Sequence, residues 1–218
     1  MHWNDRKWET QRMAASSRRV SVVLFEGFEL LDVFGPVELL SKLPEDFVVN
    51  LLGPVAGPVR SSQGTQVIAE AAYADAPTPH IVMVPGGIGT RTLARDVEFL
   101  SWLSAWAQPA ELVASVCTGS ALLAAAGLLD GYQATSNKLA FEWASSQGQD
   151  VTWVAKARWV QDRNRWTSSG VAAGMDMAAA LIASLHGQQA ADDVARRIEL
   201  EIHPDPDWDP FARAYGLA

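Results

Sequence analysis

The chain has 218 residues, 49% of them hydrophobic and 19% charged, which is the composition of a globular protein with a sizeable core and excludes a disordered polymer. A formal charge of −8 argues against nucleic acid as a partner, because phosphate binding needs a surplus of Lys and Arg on one face. With Cys117 as the only cysteine there is no internal disulfide, so packing alone must hold the fold, and a free thiol suits a reducing, cytoplasmic compartment.

Residues 1–17 are charged and polar, lack an apolar run of signal-peptide length, and read as a flexible extension that Trp3 and Trp8 could dock on a surface. No later stretch approaches the roughly 18 apolar residues of a membrane span. Residues 18–218 read as a single domain. Within it "VSVVLF" is short, β-branched and apolar on both faces, the pattern of a fully buried strand. "ELLDVFGPVELLSKL" has helical spacing, "FVVNLLGP" is a strand, and "GPVRSSQGTQVIAEAAYADAP" is an appended hairpin bracketed by turn residues. There follow strand "HIVMVPGG", helix "TLARDVEFLSWLSAWA", strand "LVASVC" and helix "GSALLAAAGLL". "VTWVAKARWVQDRNRWTSSG" reads as a second hairpin, with Trp153, Trp159 and Trp166 as packing pieces. Two helices, "VAAGMDMAAALIASLHG" and "QQAADDVARRIELEI", precede an extended tail, "HPDPDWDPFARAYGLA". Strand alternating with helix predicts an α/β fold with a mostly parallel sheet, helices on both faces and ligands bound beyond the carboxyl ends of the strands.

Cys117 falls where a strand hands over to a helix, with Gly119 two positions on, the layout of a nucleophile elbow. Backbone N–H groups at the start of that helix would favour thiolate over thiol. The alternative is an inert, buried cysteine. "VPGGIGT" puts Gly86 and Gly87 at the same sheet edge, where bare amides suit a negative charge on a reacting atom, although a GG pair after a strand is also an ordinary turn. Asp32 lies just past the first strand. Pro36 lacks the N–H that would bond the Asp32 carbonyl and so loosens the helix start. Glu26 and Glu29 compete for the same acid role, and a plain helix-start function is the other reading. The stripe of Leu30, Leu31, Phe34 and Leu39 decides for Asp32, which lies close to it.

Together "ASVCTGSALLAAAGLLDGYQAT", "VPGGIGT" and "LLDVFGPVELL" resemble the ThiJ/PfpI superfamily and, within it, the isonitrile hydratases, over most of the chain from about Val20. The resemblance implies a flavodoxin-like sandwich related to the class I glutamine amidotransferases, usually a homodimer, acting on a small molecule without metal or organic cofactor. It assigns Cys117 as nucleophile, Asp32 as acid-base partner, Thr118 as assisting hydroxyl, and the Gly86 and Gly87 amides as anion-stabilising backbone. The implied reaction adds water to an isonitrile to give an N-substituted formamide. Phe25, Phe28 and Ile88 are candidate apolar walls but read first as core. Relatives carry a histidine after the nucleophile helix where this chain has "ATSNKLAFEW", with Asn137 and Lys138. Protease-like members follow the cysteine with histidine; here Thr118 stands there, which disfavours a Cys-His dyad. His2, His80, His186 and His203 read as incidental. "HPDPDWDP" lacks the Gly and terminal Glu of a calcium loop and reads as a solvated tail. Asp176 either fixes a loop near the pocket or stabilises a helix start. Rival functions are a glyoxalase or deglycase, and a redox or ligand sensor without a basic helix-turn-helix.

Overall fold

Seven strands form the central sheet of the computed structural model, which describes residues 17–218. All but one of the sequence's first 17 residues, the expected flexible extension, therefore lie outside the described residues. In chain order the strands are β1 (Arg18–Val23), β2 (Phe47–Gly53), β3 (Gly57–Arg60), β4 (Gln66–Ala69), β5 (Ala71–Ala72), β6 (Ile81–Val84), β7 (Leu112–Ser115), β8 (Tyr132–Ala134), β9 (Val151–Trp153), β10 (Trp159–Asp162) and β11 (Arg165–Ser168). The helices are α1 (Leu30–Leu40), α2 (Thr90–Leu93), α3 (Val97–Ala107), α4 (Gly119–Ala125), α5 (Phe141–Ser145), α6 (Ala173–His186), α7 (Gln188–Arg197) and α8 (Pro210–Ala214). The sheet runs β10-β11-β7-β6-β1-β2-β5, parallel throughout except for the β10–β11 pair.

Strands buried on both faces need no polar alternation, and all four residues of β6 are buried, as are Val20, Val22 and Val23 of β1. From β1 the chain crosses to β2 on one side, whereas from β6 it crosses to β7 on the other. Right-handed crossovers in opposite directions put their helices on opposite faces and leave a crevice at the carboxyl ends of β1 and β6. The loops that leave these two strands are tied across it: Glu29 N–H donates to the Gly86 carbonyl at 2.8 Å, and Phe28 bridges to Gly87. Among the described residues no helix is long and apolar enough to cross a membrane.

Four local expectations need correction. The stretch read as one helix is two, α2 and α3, because Asp96 adopts an extended conformation and its side chain accepts the Phe99 N–H at 3.0 Å, capping α3. The stretch read as a second hairpin forms one only in part. The hairpin is made by β10 and β11 alone, β11 pairs in parallel with β7 inside the main sheet, and β9 pairs with β8 in a separate ribbon. Helix α1 continues unbroken through Pro36 to Leu40, so the missing amide does not open the helix start. The tail is not wholly extended, since Asp209 accepts the Phe211 N–H at 2.9 Å and starts α8. Before that helix the tail lies along residues 156–158: Arg158 N–H donates to the Pro206 carbonyl at 2.7 Å and Asp209 N–H to that of Lys156 at 3.0 Å. Trp166 and Trp159 are buried, as packing pieces should be.

Leu122, fully buried in α4 behind the β7 end, reports on this core. Leu122→Ala is expected to lower stability by about 2–5 kcal/mol, the range for deleting a buried leucine, read as a fall in the urea midpoint at constant slope.

Candidate active site

Three loops leaving β1, β6 and β7 converge on Cys117. Its backbone has φ 57°, in the left-handed region that non-glycine residues rarely occupy. That conformation is held from both sides. Cys117 N–H donates to the Ser169 carbonyl at 3.1 Å, while the Cys117 carbonyl accepts the Ser120 and Ser136 hydroxyls, each at 3.0 Å. Gly119 lets the turn pass under β6, because a Cβ there would stand 2.1 Å from the Val84 carbonyl oxygen.

Asp32 faces this turn from the first turn of α1 and is 0% exposed. Its Oδ2 accepts the Gly86 N–H at 2.8 Å; its Oδ1 is buried with no hydrogen-bond partner. Burial dominates and pushes the carboxyl up to about 7, the Gly86 bond opposes this, Glu29 adds to it, and Cys117 opposes it slightly. Glu26 and Glu29 are engaged elsewhere, with the Arg60 N–H and the Gln63 amide, which leaves Asp32 as the carboxyl at the site.

The sulfur itself differs from the sequence expectation. Cys117 is 7% exposed, and burial followed by the charge of Asp32 pushes its thiol well above the ordinary range. The backbone N–H groups of Thr118 and Val171 and the Thr118 hydroxyl act in the other direction and do not prevail. A helix of seven residues offers too little field to offset the loss of water around a thiolate. Burial thus favours the thiol, against the thiolate that the helix start by itself would favour.

Gly86 and Gly87 do reach this edge, but their amides are committed to other groups. Gly86 holds Asp32, and Gly87 N–H donates to Thr118 Oγ1 at 3.1 Å. Thr90 Oγ1 lies 3.2 Å from the same threonine oxygen and donates to the Gly87 carbonyl at 2.7 Å. The donors that face the sulfur are instead Thr118 and Val171. Ile88 is 68% exposed, with its side chain beside Gly27, and Phe25 and Phe28 are core residues. Thr90, Ser136, Ser169 and Val171 escaped the sequence reading; only Thr90, closing "VPGGIGT", carried a local signal.

Asn137 packs at the edge of the site: its Nδ2 lies 2.5 Å from where a Cβ on Gly170 would be, next to Ser169 and Val171. The Lys138 ammonium is buried among Thr135 Oγ1 (2.8 Å) and the carbonyls of Ala157 (2.6 Å) and Ser136 (3.3 Å), and burial lowers its pKa to about 8. His80 sits at the opposite end of β6, accepting the Arg19 N–H at 3.0 Å. Asp176 is tied to Arg158 at 2.6 Å and accepts the His203 N–H at 2.9 Å, so it anchors the tail. Among the described residues no group of three or more His, Cys, Asp and Glu is placed to hold a metal ion.

Comparison with known proteins gives a match to the DJ-1/PfpI family over residues 18–184. The chain is 36% identical over 191 residues to an isonitrile hydratase of Pseudomonas putida, covering 88% of this chain and 81% of that protein. It is 35% identical over 177 residues to the HTH-type transcriptional regulator GbdR of Pseudomonas aeruginosa, covering 75% of this chain but 47% of the regulator. A ThiJ/PfpI family protein from Pseudomonas syringae superposes with a TM-score of 0.75 at 28% identity, covering 95% of this chain and 85% of that one.

The raised Asp32 has a consequence for stability. Below its ordinary value of 3.8 both folded and unfolded chains keep the proton; above it the unfolded chain releases the proton first, so stability from this group is lost as pH rises through about 7. Asp32→Asn removes the burden. At pH 8 it is expected to be more stable than the parent by on the order of 1–3 kcal/mol, after allowing for an unpartnered Asn amide, with the gap closing near pH 4 in urea titrations.

Proposed function

The chain belongs to the DJ-1/PfpI family, and we propose that within it this protein hydrates small isonitriles to N-substituted formamides, with Cys117 as nucleophile and Asp32 as acid-base partner. The observation that carries the reading is the pairing of a buried carboxyl, poised at about 7 with one oxygen unpartnered, with a thiol seated on a left-handed junction. The 36% identity to an isonitrile hydratase supports the same activity.

A neutral thiol beside a carboxylate is what this reaction uses. As the sulfur bonds the terminal carbon of R–N≡C, ionised Asp32 takes the S–H proton and passes it to that same carbon, leaving the thioimidate Cys–S–CH=N–R. Water then adds to the carbon while the nitrogen is protonated. Collapse of Cys–S–CH(OH)–NH–R expels the sulfur, which recovers a proton, and releases R–NH–CHO. A group near neutrality both accepts and returns protons at physiological pH. Thr118 contributes its N–H and hydroxyl, and Val171 its N–H, to the sulfur when it carries charge on leaving. The junction at Cys117 serves in this reading as a nucleophile elbow, in one domain spanning 18–218 of a cytoplasmic homodimer.

A ligand-sensing role draws support from the likeness to GbdR, and a deglycase would use the same pair on a 2-oxoaldehyde. One assay separates them. With cyclohexyl isocyanide the protein is expected to give the formamide, with kcat/KM rising with pH around a midpoint near 7 as Asp32 ionises. Asp32→Asn should lose about 10²–10⁴-fold and Cys117→Ala essentially all activity. Formamide production that survives in Cys117→Ala overturns the proposal; turnover of methylglyoxal alone favours the deglycase, and binding without turnover the sensor.

A further inference from the structure

The hydratase reading leaves one group near the thiol unused. Helix α2 begins against the turn that carries Cys117, since the Thr90 hydroxyl approaches Thr118 Oγ1 at 3.2 Å, and Arg91 is the second residue of that helix. The Arg91 guanidinium lies over the Trp143 ring, its Cζ 3.4 Å from the centroid. It makes no hydrogen bond or ion pair among the described residues, and its Nη1 is buried without a partner. Buried guanidinium N–H groups are donors only, and leaving one unmet costs free energy that an incoming acceptor recovers. Arg91, Thr92, Arg95, Asp96 and Trp143 line a cavity of about 530 Å³. The Asp96 carboxylate is occupied through Oδ1 in capping α3. Two arginines thus face one engaged carboxylate in a chain whose formal charge is −8. Burial lowers the Arg91 pKa, and a negative charge on Cys117 would oppose this.

We infer that Arg91, splayed on Trp143, is a specificity residue that binds a carboxylate on the substrate, so that the preferred substrates are isonitriles bearing an acid group a few bonds from the nitrogen. A planar guanidinium held by an aromatic face presents paired N–H groups at fixed orientation, the geometry a carboxylate meets with two parallel bonds. This inference rests on the hydratase reading for its reaction but not for its binding step, and the test keeps the two apart.

Potassium isocyanoacetate and its three- and four-carbon homologues are compared with the corresponding methyl esters, by kcat and KM separately, in the parent, Arg91→Met and Arg91→Lys proteins. The ratio of kcat/KM for the best acid to that for its ester is expected to fall about 10- to 100-fold in Arg91→Met, mostly through KM, and to recover in part in Arg91→Lys. An unchanged ratio, with acid and ester losing equally, would place Arg91 in the service of the thiol and overturn the inference. Binding is read separately by calorimetry on the Cys117→Ala protein with N-formylglycine and its methyl ester, which needs no turnover. Preference for the free acid that Arg91→Met removes supports the inference even if no isonitrile is hydrated, in which case only the hydratase reading falls; equal affinity for acid and ester overturns the inference.

Discussion

The hydrogen bond from the Gly86 amide to Asp32 is the contact on which the site depends. It joins the end of β6 to the first turn of α1 and aims the carboxyl across the crevice at the turn after β7. Gly86 can make it only because it has no side chain: a Cβ would stand 2.6 Å from Thr118 N, 2.7 Å from Thr118 Oγ1 and 2.8 Å from Asp32 Oδ2. Three segments from separate crossovers therefore meet around one Cα. The same bond draws the acid down while burial draws it up, and the balance leaves it near neutrality instead of fully protonated.

Much of the architecture was legible because it depends on local pattern. Short apolar runs alternating with helical spacing specify buried parallel strands, and the strand order then places the crevice where Asp32, Gly86 and Cys117 were expected to meet. What escaped depends on partners distant in sequence. Ser169 and Val171 reach the cysteine from a loop beyond β11, more than fifty residues after it, and nothing in "TSSGVAAG" announces this. The protonation of the sulfur was not legible for the same reason. A helix start is visible in the local text, whereas the packing that seals the thiol comes from the whole fold. The break between α2 and α3 was missed because their apolar periods run on through a single capping aspartate.

Rigidity and reactivity are linked at Cys117. A left-handed residue persists only when its surroundings fix it, and here the amide and the carbonyl of the residue, on either side of its Cα, are both held, the carbonyl by two serine hydroxyls. Such clamping fixes the direction of the Cα–Cβ bond, so the sulfur is positioned without relying on a flexible loop. In the proposed reaction, where a proton moves from sulfur to carbon through one carboxyl, that fixed aim would matter more than a standing negative charge.

The segment that follows α7 has a role at the sheet margin. β10 is the outermost strand on its side, and open strand margins invite pairing with other chains. The Pro206 carbonyl takes the Arg158 amide just ahead of that strand and approaches the Trp159 amide within it, while the buried Arg158–Asp176 pair and the His203 contact pin the covering peptide in place. A proline-rich cover contributes acceptors but few donors, so it shields the margin without offering a new one for the next molecule to extend. The segment that sequence alone marks as a solvated appendage thereby lies against the start of a tryptophan-bearing border.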